Sequence, residues 1–174
     1  MKKYIDIKTA LYYMNYKSLE VSETLLALLE EGRELLAQVL TPRFCMKESD
    51  INNSLLEGED IKNHLDGCEK VLFFAATLGA GTDKLISKTE LTNPSLAFCL
   101  DALADTAIEN YCDEIENGVK LPHTSRFSPG YGDLPLSIQP QFLKFLDTNK
   151  KIGLSCTDTY ILTPRKSVTA IIGG

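Results

Sequence analysis

The sequence predicts a single α+β domain. Helix-type and strand-type apolar patterns are mixed along the chain. No repeat, low-complexity tract or linker divides it. Its 174 residues suit one domain over 1–174. A chain of this length buries roughly 70% of its unfolded surface, so it needs no metal or disulfide staple.

The elements follow in chain order. Apolar residues at Val21, Leu25, Leu28, Leu29, Leu36 and Val39 have helical spacing, which predicts a helix over 21–40 with Ser22 as N-cap. Thr41-Pro42 ends it. Residues 43–46 read as a short strand, 52–60 as a polar turn and 60–65 as a short helix closed by Gly67. Residues 69–77 (EKVLFFAAT) are short, apolar and flanked by turn residues, the pattern of a buried strand. A turn over 79–83 leads to a helix ending near Leu91. Asn93-Pro94 combines an N-cap with proline at the first helical position, and that helix runs to about Glu116 before Asn117-Gly118. Residues 121–140 are dense in Pro and Gly and read as an ordered loop. A short helix is expected over 141–147, then strands over 153–162 and 168–172. In the first of these strands Leu154, Cys156 and Tyr160 share one parity, and Ser155, Thr157 and Thr159 the other.

Composition excludes several classes. Hydrophobic residues at 44% and charged residues at 24% argue against disorder. Lys plus Arg number 18 against 24 Asp plus Glu, a formal charge of −6, so a non-specific polyanion binder is not expected. The five cysteines (45, 68, 99, 112, 156) form no CxxC pair, and His64 and His123 stand far apart, so no structural zinc site is expected. Free, mostly buried thiols in a reducing cytoplasm are the plain reading. The start MKKYIDIKTALYY lacks a signal-peptide core, and the apolar run over 71–78 is too short to span a membrane.

Four features bear on chemistry. Gly79-Ala80-Gly81 lies between a strand and a helix, where a phosphate loop can form, but Lys84 occupies the place of the third glycine and GxxxxGK[ST] is absent; a tight turn is favoured. Asp101, Asp105, Glu109 and Asp113 are successive i, i+4 neighbours, with Glu116 beyond them. Like charges at that spacing repel, so the stripe is either solvated or has one carboxylate meeting a cationic ligand. The segment RFSPGYGDLP at 126–135 packs Arg, two aromatics, two prolines and two glycines into ten residues. It is either a rigid packed turn or a ligand loop in which Arg126 takes a carboxylate and Tyr131 offers an apolar face with a hydroxyl. His123 lies close to Ser125 in sequence, but no Ser/His/Asp or Cys/His set can be assembled.

Three ordered pieces carry a family resemblance: DALADTAIENYCDE at 101–114, RFSPGYGDLP at 126–135 and IGLSCTDTYILTPRKSV at 152–168. Together they resemble the activation (AdoMet-binding) domain of cobalamin-dependent methionine synthase, in a stand-alone form. Arg126, Gly130 and Tyr131 match the R-x-x-x-G-Y pattern of that family, and Ala102 to Asp105 with Glu109 match A-L-A-D-x-x-x-E. The resemblance implies a twisted, mainly antiparallel sheet flanked by helices. It implies a site for S-adenosyl-L-methionine, with Glu109 on the ammonium, Arg126 on the carboxylate and Tyr131 near the methionine or sulfonium end. Backbone groups of Phe127, Ser128, Pro129 and Gly130 would complete it. The implied reaction is reductive methylation: cob(II)alamin takes an electron, and the resulting cob(I) attacks the AdoMet methyl group. Cobalt is then the nucleophile, no general base is needed, and this chain supplies position.

No DxHxxG cobalamin-ligand motif is present. The expected partner is therefore a separate methionine synthase lacking its own activation domain, with an electron donor such as flavodoxin. The alternatives are another corrinoid methyltransferase as partner, or a non-catalytic interaction domain that has lost AdoMet. The synthases carry Pro and Cys where this loop has Gly132, Asp133 and Leu134. Their chains also continue past the last strand, so one wall of the site is expected to be missing or supplied by a partner.

Overall fold

The computed structural model describes residues 1–17, 20–119 and 124–174. After a single 3-10 turn (Lys2–Tyr4) the order is α1 (Ile7–Tyr13), α2 (Glu23–Val39), β1 (Arg43–Asp50), α3 (Glu59–His64), β2 (Lys70–Thr77), α4 (Ala80–Glu90) and α5 (Pro94–Asn117). A second 3-10 turn (Leu136–Ile138) then precedes α6 (Gln139–Leu146), α7 (Thr148–Ile152), β3 (Ser155–Cys156), β4 (Leu162–Thr163) and β5 (Ser167–Gly173).

The main sheet has three antiparallel strands in the order β1-β2-β5. Its register sets Arg43 opposite Thr77 and Val71 opposite Gly173. Alternation divides β2 between two cores. Phe74 and Ala76 join Ala170, Ile172 and α5 residues such as Leu100 and Leu103 on one face. Val71, Phe73 and Ala75 join Ile171, Phe142 and Leu146 on the other. Strand β2 reads as a nearly unbroken apolar run because both of its faces are covered. Its two phenylalanines are fully buried, so truncating either would cost about 3–5 kcal/mol.

The helix caps agree with the sequence. Leu25 N–H donates to Ser22 Oγ at 3.3 Å, and Leu96 N–H donates to Asn93 Oδ1 at 3.1 Å. Asp6 caps α1 by accepting from Thr9 N–H at 2.6 Å.

Several expected boundaries are corrected. β1 continues to Asp50, because an edge strand tolerates polar residues and Glu48 pairs with Lys70 across the ladder. The turn over 79–83 shrinks to Gly79 at φ +87, and Ala80 already begins α4. A Cβ on Gly79 would collide with the Thr41 hydroxyl, and one on Gly81 would lie 2.8 Å from the Val39 carbonyl. Both glycines serve packing against the end of α2. The strand expected over 153–162 is instead a β3–β4 ribbon. Its parity breaks at Tyr160, which sits at φ +66 in a turn closed by Thr157 N–H to Ile161 O at 2.9 Å. The loop over 121–140 contains the Leu136–Ile138 turn and the start of α6.

Candidate functional site

A cavity of about 820 Å³ lies along the outer edge of β5. The 126–131 segment builds its near wall. Phe127 N–H donates to Ile171 O at 2.9 Å, and Ile171 N–H donates to Phe127 O at 2.8 Å. Phe127 thus covers the β5 edge at Ile171, while Ser167, Val168 and Thr169 line the cavity farther along. Antiparallel alternation turns the N–H and C=O of Thr169 toward the same edge as those of Ile171.

Every residue proposed from the sequence lines this cavity: Glu109 from α5, and Arg126, Phe127, Ser128, Pro129, Gly130 and Tyr131 from the loop. The loop holds its shape through its own backbone. Gly130 N–H donates to Leu134 O at 2.8 Å, and Tyr131 N–H to Ser128 O at 3.1 Å. Gly130 takes φ +96, which an L side chain rarely adopts. The backbone of Phe127 is committed to Ile171, whereas the Ser128 N–H and the Pro129 C=O make no backbone hydrogen bond among the described residues. Tyr131 is 64% exposed and stands 6.4 Å from the Phe127 ring, edge to face.

The acidic stripe on α5 is neither simply solvated nor unpaired. Arg126 Nη2 lies 2.7 Å from Asp113 Oδ1 and 3.1 Å from Glu109 Oε2, and its Nε lies 3.2 Å from Glu116 Oε2. Lys166 Nζ lies 2.6 Å from Asp105 and 2.8 Å from Asp101. Both cations are well sheltered, with side chains 20% and 11% exposed. Two residues from the later motif segments thereby bridge the like charges of the helix. Behind Arg126, burial above all pushes the Cys112 thiol up to about 12. Burial works against the Arg126 charge, yet the anionic groups around it raise its pKa on balance.

The departure at Gly132-Asp133 has a structural use. The Asp133 carboxylate accepts from the N–H groups of Glu59 at 2.6 Å and Asp60 at 3.1 Å, capping α3, whose own N-cap is Gly58. Asp60 Oδ2 in return accepts from Asp133 N–H at 3.1 Å. A Cβ on Gly132, at φ +51, would strike the Asp60 side chain.

Sequence reasoning missed other residues that line the cavity, among them His64, Gln139, Tyr160 and Thr169. His64 Nε2 meets Ser125 O at 2.8 Å, and its ring lies 5.1 Å from that of Phe127. Gln139 is 3% exposed and faces the Thr169 hydroxyl, with Nε2 at 2.8 Å and Oε1 at 3.1 Å. No local sequence signal marks this pair, whose members lie 30 residues apart. His123, noted beside Ser125 in the sequence, lies outside the described residues.

Among the described residues, no group of three or more His, Cys, Asp or Glu could hold a metal, and no helix is long and apolar enough to cross a membrane. Neither a protein-family model nor a curated relative matches the chain. Among solved structures, the chain is similar to the MetH reactivation domain bound to AdoHcy, with a TM-score of 0.67 over 98% of this chain and 74% of that one, at 15% identity. That likeness establishes the fold: an α+β domain with a three-stranded antiparallel sheet and flanking helices, of the MetH reactivation type.

Proposed function

We propose that this protein binds S-adenosyl-L-methionine in the β5-edge cavity. There it presents the methyl group to the cobalamin of a separate methionine synthase, or of another corrinoid methyltransferase, in the cytoplasm. The carrying observation is the convergence of Glu109 and the 126–131 loop on one cavity, in a fold similar to the MetH reactivation domain.

The cavity suits such a ligand in size, since small-molecule sites run from roughly 300 to 1,000 Å³. It also suits it in charge. Three carboxylates around one guanidinium leave a net negative cluster, which favours the ammonium and sulfonium of AdoMet. Glu109 would take the ammonium. Arg126 Nη1 makes none of the three ion pairs and would take the ligand carboxylate. The Ser128 N–H and Pro129 C=O would bond the ligand's polar atoms, and the Phe127 and Tyr131 rings would shield the sulfonium end. When bound, the sulfonium supplies an electrophilic methyl group. This chain holds and orients it and moves no proton.

A second reading, a non-catalytic interaction domain, draws on the three carboxylate partners that Arg126 already has. A methylation assay separates the two. Cob(II)-form synthase, an electron donor such as flavodoxin, and AdoMet are combined with and without this protein. Return of methylcobalamin only when the protein is present supports the proposal. Equal rates with and without it favour the interaction domain.

A further inference from the structure

The outer edge of β5 is paired along part of its length and open at one residue. In an antiparallel strand every second residue turns both its N–H and its C=O to the same edge. On β5 these outward residues are Ser167, Thr169, Ile171 and Gly173. Gly173 N–H donates to Thr124 Oγ1 at 2.9 Å, and its C=O accepts from Thr124 N–H at 2.9 Å. Both backbone groups of Ile171 bond Phe127. Ser167 N–H donates to Arg165 O at 2.9 Å. The pairing would next set residue 129 against Thr169, but a proline has no N–H to give, and Gly130 and Tyr131 donate within their own loop. The N–H and C=O of Thr169 thus make no backbone hydrogen bond among the described residues. Thr169 lines the cavity and is 3% exposed, and backbone groups left unbonded at such burial are costly.

We infer that the main chain of Thr169 reads the amino-bearing edge of the ligand's purine, its C=O accepting from the 6-amino group and its N–H donating to the neighbouring ring nitrogen. This rests on the AdoMet reading and adds to it a reason for choosing an adenosyl ligand. A strand residue offers one donor beside one acceptor on the same side, and the adenine edge offers the complement. The charged end of AdoMet is taken by Glu109 and Arg126, which leaves the purine as its group with such an edge. Leu136, Leu162 and Val168 supply apolar lining for the ring faces.

Two measurements on the wild-type chain test this. The first is calorimetric titration with S-adenosylhomocysteine and with S-inosylhomocysteine. In the inosyl analogue position 6 is a carbonyl and the adjacent ring nitrogen bears hydrogen, so it offers Thr169 no matching edge. S-adenosylhomocysteine is expected to bind about tenfold more tightly or better. The second is amide hydrogen exchange by NMR, without ligand and at saturating S-adenosylhomocysteine. Exchange at Thr169 should slow more than at Ile171, whose N–H is already bonded to Phe127. Equal affinity for the two ligands overturns the inference while leaving the AdoMet reading intact. So does exchange at Thr169 that slows no more than at Ile171, even if the adenosyl ligand is preferred. If neither ligand binds, the AdoMet reading and the inference fall together.

Discussion

Arg126 does more than its place in a motif suggests. The resemblance makes it a ligand contact. In the structure it holds together Glu109, Asp113 and Glu116, so Arg126→Ala would strand three carboxylates on one helix. The carboxylates are 43%, 54% and 20% exposed, which discounts the cost to about 1–3 kcal/mol. A drop in melting temperature without ligand is therefore expected for Arg126→Ala. Glu109→Gln, which relieves like-charge repulsion, should leave it nearly unchanged. The cysteines give a second check at this scale. Cys45, Cys99 and Cys112 are buried, and burial chiefly raises the thiol pKa of each. An alkylating reagent at pH 8 should modify Cys68 and Cys156 in the folded protein and reach the other three only on unfolding. Rapid native modification of Cys112 would contradict the packing behind Arg126.

Among the elements, two termini depend on single carboxylates. Asp133 caps α3 from across the chain, so Asp133→Ala should cost about 1 kcal/mol and Asp133→Asn less. Asp6 caps α1, and its carboxyl is lowered first by the bond from the Thr9 backbone. A folded-state pKa below the unfolded value gives stability that is complete above about pH 4 and lost as pH falls through the lowered value. The stability gap between wild type and Asp6→Ala, measured by urea denaturation, should therefore be largest near neutrality and close in acid. A gap that does not change with pH would sink this assignment.

The contrast between elements shows what a sequence can tell. Ser22, Asn93 and Pro94 announced their helices because capping is local chemistry. β2 was readable because two buried faces leave an apolar run. The β3–β4 ribbon was not, because the positive φ of Tyr160 is imposed by its surroundings. The site divides in the same way. Glu109 and the 126–131 loop lie in motifs, whereas Gln139 and Thr169 meet only after the chain has folded, 30 residues apart.

For the whole molecule, the layered sheet explains why the cavity is where it is. β5 is an edge strand with α5 on one face and α6 on the other. Phe127 covers its edge at Ile171 but leaves Ser167 to Thr169 open, so charged groups from α5 and polar groups from α6 meet around one cavity. A ligand bound there links both cores and should raise the melting temperature with concentration, by about 2.7 kcal/mol of stability at one hundred times Kd. The central claim is that this cavity holds AdoMet through Glu109 and its neighbours. Its most direct test is a calorimetric titration of the wild type and Glu109→Gln with AdoMet. One saturable site per chain, weakened about tenfold or more in the variant, is the result this structure leads us to expect; no heat at millimolar AdoMet, or equal affinity in both proteins, would contradict it.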